Sequence, residues 1–157
     1  MTFRSQYDEI ETLAKQYPGA VRFAEGVERE WIEKAEARLA VKLPPSFVDF
    51  LSRHGGATIG GEIVNGLLGI EFEEAVGPDI VYNTLLDRQS GLDRDLIVLV
   101  DNDGDEMFYL DTSKVDEDGE NPVIRVEIET PHKREKYAAT FAEFFLKRVK
   151  FALPIEP

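Results

Sequence analysis

The sequence predicts an α+β fold, an antiparallel β-sheet packed by helices within a single domain spanning residues 1–157. Helical hydrophobic spacing fills the first third of the chain. Three strand patterns then follow without an intervening helix between Leu96 and Glu129, and a capped aromatic helix closes the chain. A doubly wound parallel sheet would need regular strand–helix alternation, and that stretch lacks it.

The elements are justified in order. An N-terminal helix is expected at about residues 5–17, where Tyr7, Ile10, Leu13, Ala14 and Tyr17 recur at helical spacing and Pro18-Gly19 stops the pattern. In "EREWIEKAEARLAVKL", Trp31, Ala35 and Leu39 form a stripe with Ile32 and Leu43 beside it, and Glu30 and Lys34 pair on the wet side. "LPPSFVDFLSRHGG" gives a third helix, with Pro45 at its first position and Phe47, Phe50 and Leu51 as its buried face. Gly55 is expected to end it in a left-handed turn, and His54 to serve as a cation at its C-terminal end. "GGEIVNGLLGIEF" suggests one or two irregular strands, and Asp79 to Gln89 a helix carrying Ile80, Thr84 and Leu85.

"LIVLV" and "EMFYL" are apolar on both sides of the pleat, as covered central strands are. "VIRVEIE" alternates Ile124, Val126 and Ile128, expected inside, with Arg125, Glu127 and Glu129, expected in water. Thr140 and Glu143 form a capping box before Phe141, Phe144, Phe145 and Leu146.

Composition bounds the chemistry. With 31 acidic against 18 basic residues the net charge is −13, which argues against nucleic-acid or anionic-membrane binding and suits either solubility or a basic protein partner. Absence of cysteine removes disulfides, thiolate catalysis and cysteine-based zinc sites. "MTFRSQYDEI" lacks the apolar run of a signal peptide, so a cytoplasmic location is the expectation. The longest aliphatic run, Leu96–Val100, is far too short to span a bilayer.

Asp101, Asp103 and Asp105 in "DNDGDEMFYLDTS" imitate the first half of a calcium loop. Glu106 stands where such a loop needs glycine, Thr112 where it needs a bidentate glutamate, and the flanks are strands. A hairpin turn fits better, since Asn102, Asp103 and Gly104 tolerate positive φ. The acidic runs 71–75 and 116–120 read as solvated faces and loops. No serine lies in a G-x-S-x-G elbow, and "GGATIGG" lacks the ending of a phosphate loop. Trp31 reads as core. No catalytic, cofactor or metal residue is assigned, and a non-enzymatic protein is expected.

"IEKAEARLAVKLPPSFVDFLSRHGG" resembles the signature of the SUKH superfamily (SMI/KNR-like domains) through Ile32, Glu36, Leu39, Leu43, Pro44, Phe47, Phe50, Leu51 and Gly56. "LIVLVDNDGDEMFYLDTS", with Gly104, Tyr109 and Asp111, resembles the same family's strand–turn–strand, and "NPVIRV" and "TFAEFFLKRV" fit as well. The family usually carries asparagine where this chain has His54. The resemblance implies a SUKH-like domain of bacterial immunity-protein type, which binds and neutralises a toxin domain such as a nuclease or deaminase. Alternatives are a regulatory or scaffolding adaptor of the cell-wall-regulator type and, more remotely, a calcium-responsive module.

Charge clustering nominates Asp101, Asp103, Asp105, Glu106, Asp116, Glu117 and Asp118 as contacts for a basic toxin; the same residues would equally serve solubility.

Overall fold

The computed structural model describes residues 3–103 and 105–154. Helices α1 (Phe3–Gln16), α2 (Arg29–Leu39), α3 (Pro45–Arg53), α4 (Ile80–Gln89) and α5 (Phe141–Ala152) pack on two antiparallel sheets. One sheet orders β1 (Val21–Glu25), β2 (His54–Ile59) and β3 (Glu62–Val64) as β1-β2-β3. The other orders β4 (Leu96–Asp101), β5 (Glu106–Asp111), β6 (Val123–Glu127) and β7 (Glu135–Ala138) as β4-β5-β6-β7. The α+β expectation therefore holds, with the strands divided between two sheets. Among the described residues no helix is long and apolar enough to cross a membrane.

One apolar core runs from Tyr7 and Ile10 of α1 to Val149 of α5 and Leu153. At its centre Phe50 packs against Phe141 and Phe145, with ring centroids 4.9 and 5.3 Å away, while Phe108 of β5 meets Phe144 at 5.2 Å. Burying such rings supplies both apolar area and favourable edge contacts. α5 thereby touches α1, α3, β2 and β7. Its first turn is capped by Thr140 Oγ1, which accepts from Glu143 N at 3.1 Å, and the Glu143 carboxylate takes the Ala139 N–H at 3.1 Å.

The corner between α2 and α3 shows what the signature residues do. Ala40 closes α2 at φ 57°, with Ala40 N–H on Ala37 O and Val41 N–H on Glu36 O, a Schellman arrangement without glycine. The Glu36 side chain then accepts from Leu43 N at 2.8 Å just before the two prolines. Pro45 opens α3 as expected. Its cap comes from 74 residues away: Glu120 accepts from Ser46 N at 2.9 Å and from Ser46 Oγ at 2.6 Å.

Several expectations are corrected. α3 does not end in a left-handed glycine; the chain passes through an extended His54 directly into β2. Gly55 is required by crowding instead, because a Cβ there would lie 2.3 Å from the Glu25 carbonyl oxygen, and one on Gly66 would lie 2.1 Å from the Gly55 oxygen. His54 does stand at the end of α3, as its C-cap, but its surroundings disfavour the charge expected there. Its ring stacks on Phe23 at 4.0 Å, and burial pushes its pKa below the ordinary value, favouring the neutral form.

The face assignment of β6 holds only in part, for Ile124 is buried at 4% exposed, but on the face away from the helices. Val123, fully buried opposite Leu110, and Arg125, opposite Phe108, face the helices, whereas Ile124 and Val126 lie on the outer face and Ile128 is exposed. Trp31 is only half-buried, at the margin of the core, edge-on to Phe72. Glu120, expected in a solvated run, is 5% exposed.

Although β4 is buried along its apolar length, it is an edge strand. Its free edge is satisfied by neighbours: Asn65 N–H donates to Leu99 O at 2.8 Å, Asn65 Nδ2 to Val98 O at 3.3 Å, and Thr84 Oγ1 accepts from Val98 N at 3.1 Å. Thr84 stands on α4, whose first turn is capped by buried Asp79 accepting from Val81 N and Tyr82 N.

Candidate partner-binding surface

The β4–β5 hairpin turns as its composition suggests. Asn102 N–H reaches Glu106 O and Asp105 N–H reaches Asn102 O, both at 3.0 Å, with Asp103 at φ 54°. Gly104 lies outside the described residues. Asp101, Asp103 and Asp105 are exposed around this turn. The Asp105 carbonyl accepts from Ile128 N at 3.0 Å, which adds the exposed Glu127 and Glu129 to the same end of the sheet. Among the described residues no group of three or more His, Asp or Glu side chains is placed to hold a metal ion.

Two arginines lie behind this acidic end. Arg148 of α5, 7% exposed, grips Glu62 through Nε at 2.9 Å and Nη2 at 2.6 Å. Its guanidinium lies 4.8 Å from the Phe108 ring centre, and Asn102 Nδ2 donates to Glu62 Oε1 at 2.9 Å. Burial alone would lower the Arg148 pKa, but the bonds from Glu62 and Tyr137 outweigh it and hold the group firmly charged. Arg125 binds Glu106 and also reaches Glu127 and Glu135. The cations are thus spent inside the network, while the aspartates at the tip face outward. On the outer sheet face Tyr109 is pushed up to about 12 by burial and by the Asp87 and Asp101 carboxylates.

The seven nominated residues do not form one patch. Asp101, Asp103, Asp105 and Glu106 lie at one end of β5; Asp116, Glu117 and Asp118 follow its other end, and the five steps of strand between the two ends span about 17 Å. Glu106 is half-buried in the arginine network, so the outward charge at the hairpin belongs to the three aspartates.

Asp116 organises the second loop, its Oδ1 accepting from Asp118 N at 2.8 Å and Glu120 N at 2.9 Å. The loop opens at Asp111, whose Oδ1 accepts from Ser113 N and Oγ. Gly119 sits over the Pro45 ring, and Glu120 anchors to Ser46. Charge clustering pointed to these loops, but neither their separation nor the buried roles of Glu62, Glu120 and Arg148 could be read from spacing, because each depends on partners 74 or 86 residues away.

A family model described as the SMI1 / KNR4 family (SUKH-1) matches residues 26–147. The match takes in α2 through most of α5, including both acidic loops and the corner held by Glu36, Ser46 and Glu120.

Proposed function

We propose, from the premise that this chain belongs to the SMI1 / KNR4 family (SUKH-1), that it is a non-catalytic immunity protein that binds and neutralises a cognate toxin domain, a nuclease or deaminase, in the cytoplasm. Family membership carries this reading, and the distribution of charge supports it. An outward row of Asp101, Asp103 and Asp105, with Glu127 and Glu129 beside it, suits a cationic surface of the kind that grips phosphates. Arg125 and Arg148 are paired with Glu106 and Glu62 behind that row.

The test is co-expression with toxin domains encoded beside the gene, followed by association kinetics with any domain whose toxicity is relieved. Replacing Asp101, Asp103 and Asp105 together by lysine should slow association at least tenfold at low ionic strength and flatten its salt dependence. An unchanged rate would remove the hairpin end from the interface. Failure to bind any neighbouring toxin would count against neutralisation itself and favour an adaptor role.

A further inference from the structure

Two large apolar side chains, Ile128 and Phe151, stand exposed at the acidic end of the β4–β7 sheet. Ile128, 58% exposed, follows β6 and donates its N–H to Asp105 O at the hairpin turn. Phe151, 76% exposed, lies in the last turn of α5, with the Arg148 guanidinium 4.7 Å from its ring centre. The same guanidinium reaches Glu62 Oε1 at 2.6 Å, and that oxygen takes the Asn102 side-chain amide at 2.9 Å. These short steps tie the exposed ring to the hairpin turn. A standard protein interface covers about 800 Å² on each partner, a disc roughly 16 Å in radius, wide enough to take in ring and turn together.

The charge around the two side chains has one sign in excess. Arg148 answers Glu62, Arg125 answers Glu106, Glu127 and Glu135, and Lys133 also reaches Glu135. On α5, Lys150 is tied to Glu9 of α1 and Lys147 to the Tyr137 carbonyl. The ion pairs among the described residues leave out Asp103, Asp105 and Glu129, all of them exposed. One exposed apolar residue alone is ordinary surface. A ring and an aliphatic chain beside surplus carboxylates have the anatomy of an interface, an apolar anchor within a charged rim.

We infer that Phe151 and Ile128 are the apolar anchors of the partner-binding surface at the hairpin end, and that the partner presents there an apolar depression rimmed by lysine or arginine. The inference rests on the neutralising reading and adds anchors to the acidic row proposed for it. The surplus carboxylates select the sign of the rim, since an acidic partner would meet like charge at Asp103, Asp105 and Glu129. Arg148, itself fixed by Glu62, holds the Phe151 ring in advance, which lowers the cost of ordering it on contact.

The probe is the blocked peptide acetyl-Lys-Leu-Leu-Lys-amide, titrated into the full-length 15N-labelled protein beside a counterpart with both lysine side chains acetylated. Expected are shifts at Asp105, Ile128, Phe151 and the Asn102 side-chain amide, with the acetylated peptide about fivefold weaker. Phe151→Ser, an exposed change that leaves the core intact, should also weaken the lysine peptide about fivefold. Absence of shifts at these positions at millimolar peptide, equal binding of the two peptides, or equal binding by the Phe151→Ser protein overturns the inference. With a toxin domain that the wild type neutralises, Phe151→Ser should speed dissociation about tenfold and change association little. An unchanged dissociation rate would take Phe151 out of the interface and leave neutralisation standing. Peptide binding at this surface with no toxin neutralised would sink the neutralising reading alone.

Discussion

Glu120 shows how a single residue can belong to chemistry its neighbours do not share. In sequence it ends the run "DEDGE", yet its carboxylate caps α3 from within the core. Burial raises its pKa despite the two Ser46 donors, with Asp116 and Asp118 adding to the rise. The folded state therefore holds the proton more tightly than the unfolded chain. This contribution is fully present below the unfolded value and is lost as pH rises through the folded one. Glu120→Gln keeps size and an acceptor for Ser46 N–H without the titration. The stability of the wild type relative to this variant should be greatest near the lower end of the acid range and decline towards neutrality. Glu120→Ala should cost about 1–3 kcal/mol, because it strands a buried donor. Urea titrations of all three proteins across the acid-to-neutral range check both; parallel curves for wild type and Glu120→Gln would contradict the linkage.

At the scale of elements, β4 combines complete apolar burial with an edge position, and an unpaired buried edge would be costly. Thr84 and Asn65 remove that cost by bonding Val98 and Leu99. Thr84→Val preserves shape and strands the Val98 N–H, so a loss of about 1–3 kcal/mol is expected. Amide exchange at Val98 should accelerate more than at Phe108, which pairs on the inner strand. Uniform acceleration would indicate global destabilisation instead.

The existence of most elements was legible from periodicity: α2, the strands β4 to β6, and the capped α5. β1 and β7 were not expected, because five and four residues of mixed polarity carry little period-two signal. β2 was concealed by "HGG", which reads as a helix stop although these residues extend into a strand. For β6, Ile124 is buried as expected, but the side facing the helices was misjudged because Arg125 lies there opposite Phe108, satisfied by Glu106.

For the whole molecule, the Arg148–Glu62 pair connects α5 to the small sheet and, through Asn102, to the hairpin. Removing one partner of a buried pair leaves an uncompensated charge. Arg148→Met should therefore lower stability by about 3–5 kcal/mol, and adding Glu62→Leu should restore much of that loss. Denaturant midpoints for the two variants decide the point; a single variant as stable as the wild type would show that the pair holds nothing together.

Sequence by itself determined the fold class, the order of the main helices and strands, the family signature and the excess of negative charge, since these reside in local periodicity, punctuation and composition. Tertiary structure decided which charges face outward and which face one another. It separated seven clustered acidic residues into two surfaces and turned Glu120 and Glu62 inward. The physical reason is range. Helical and strand patterns are set by neighbours a few residues apart, whereas the fate of a charged or polar side chain is settled by desolvation and by partners brought together only when the chain has folded.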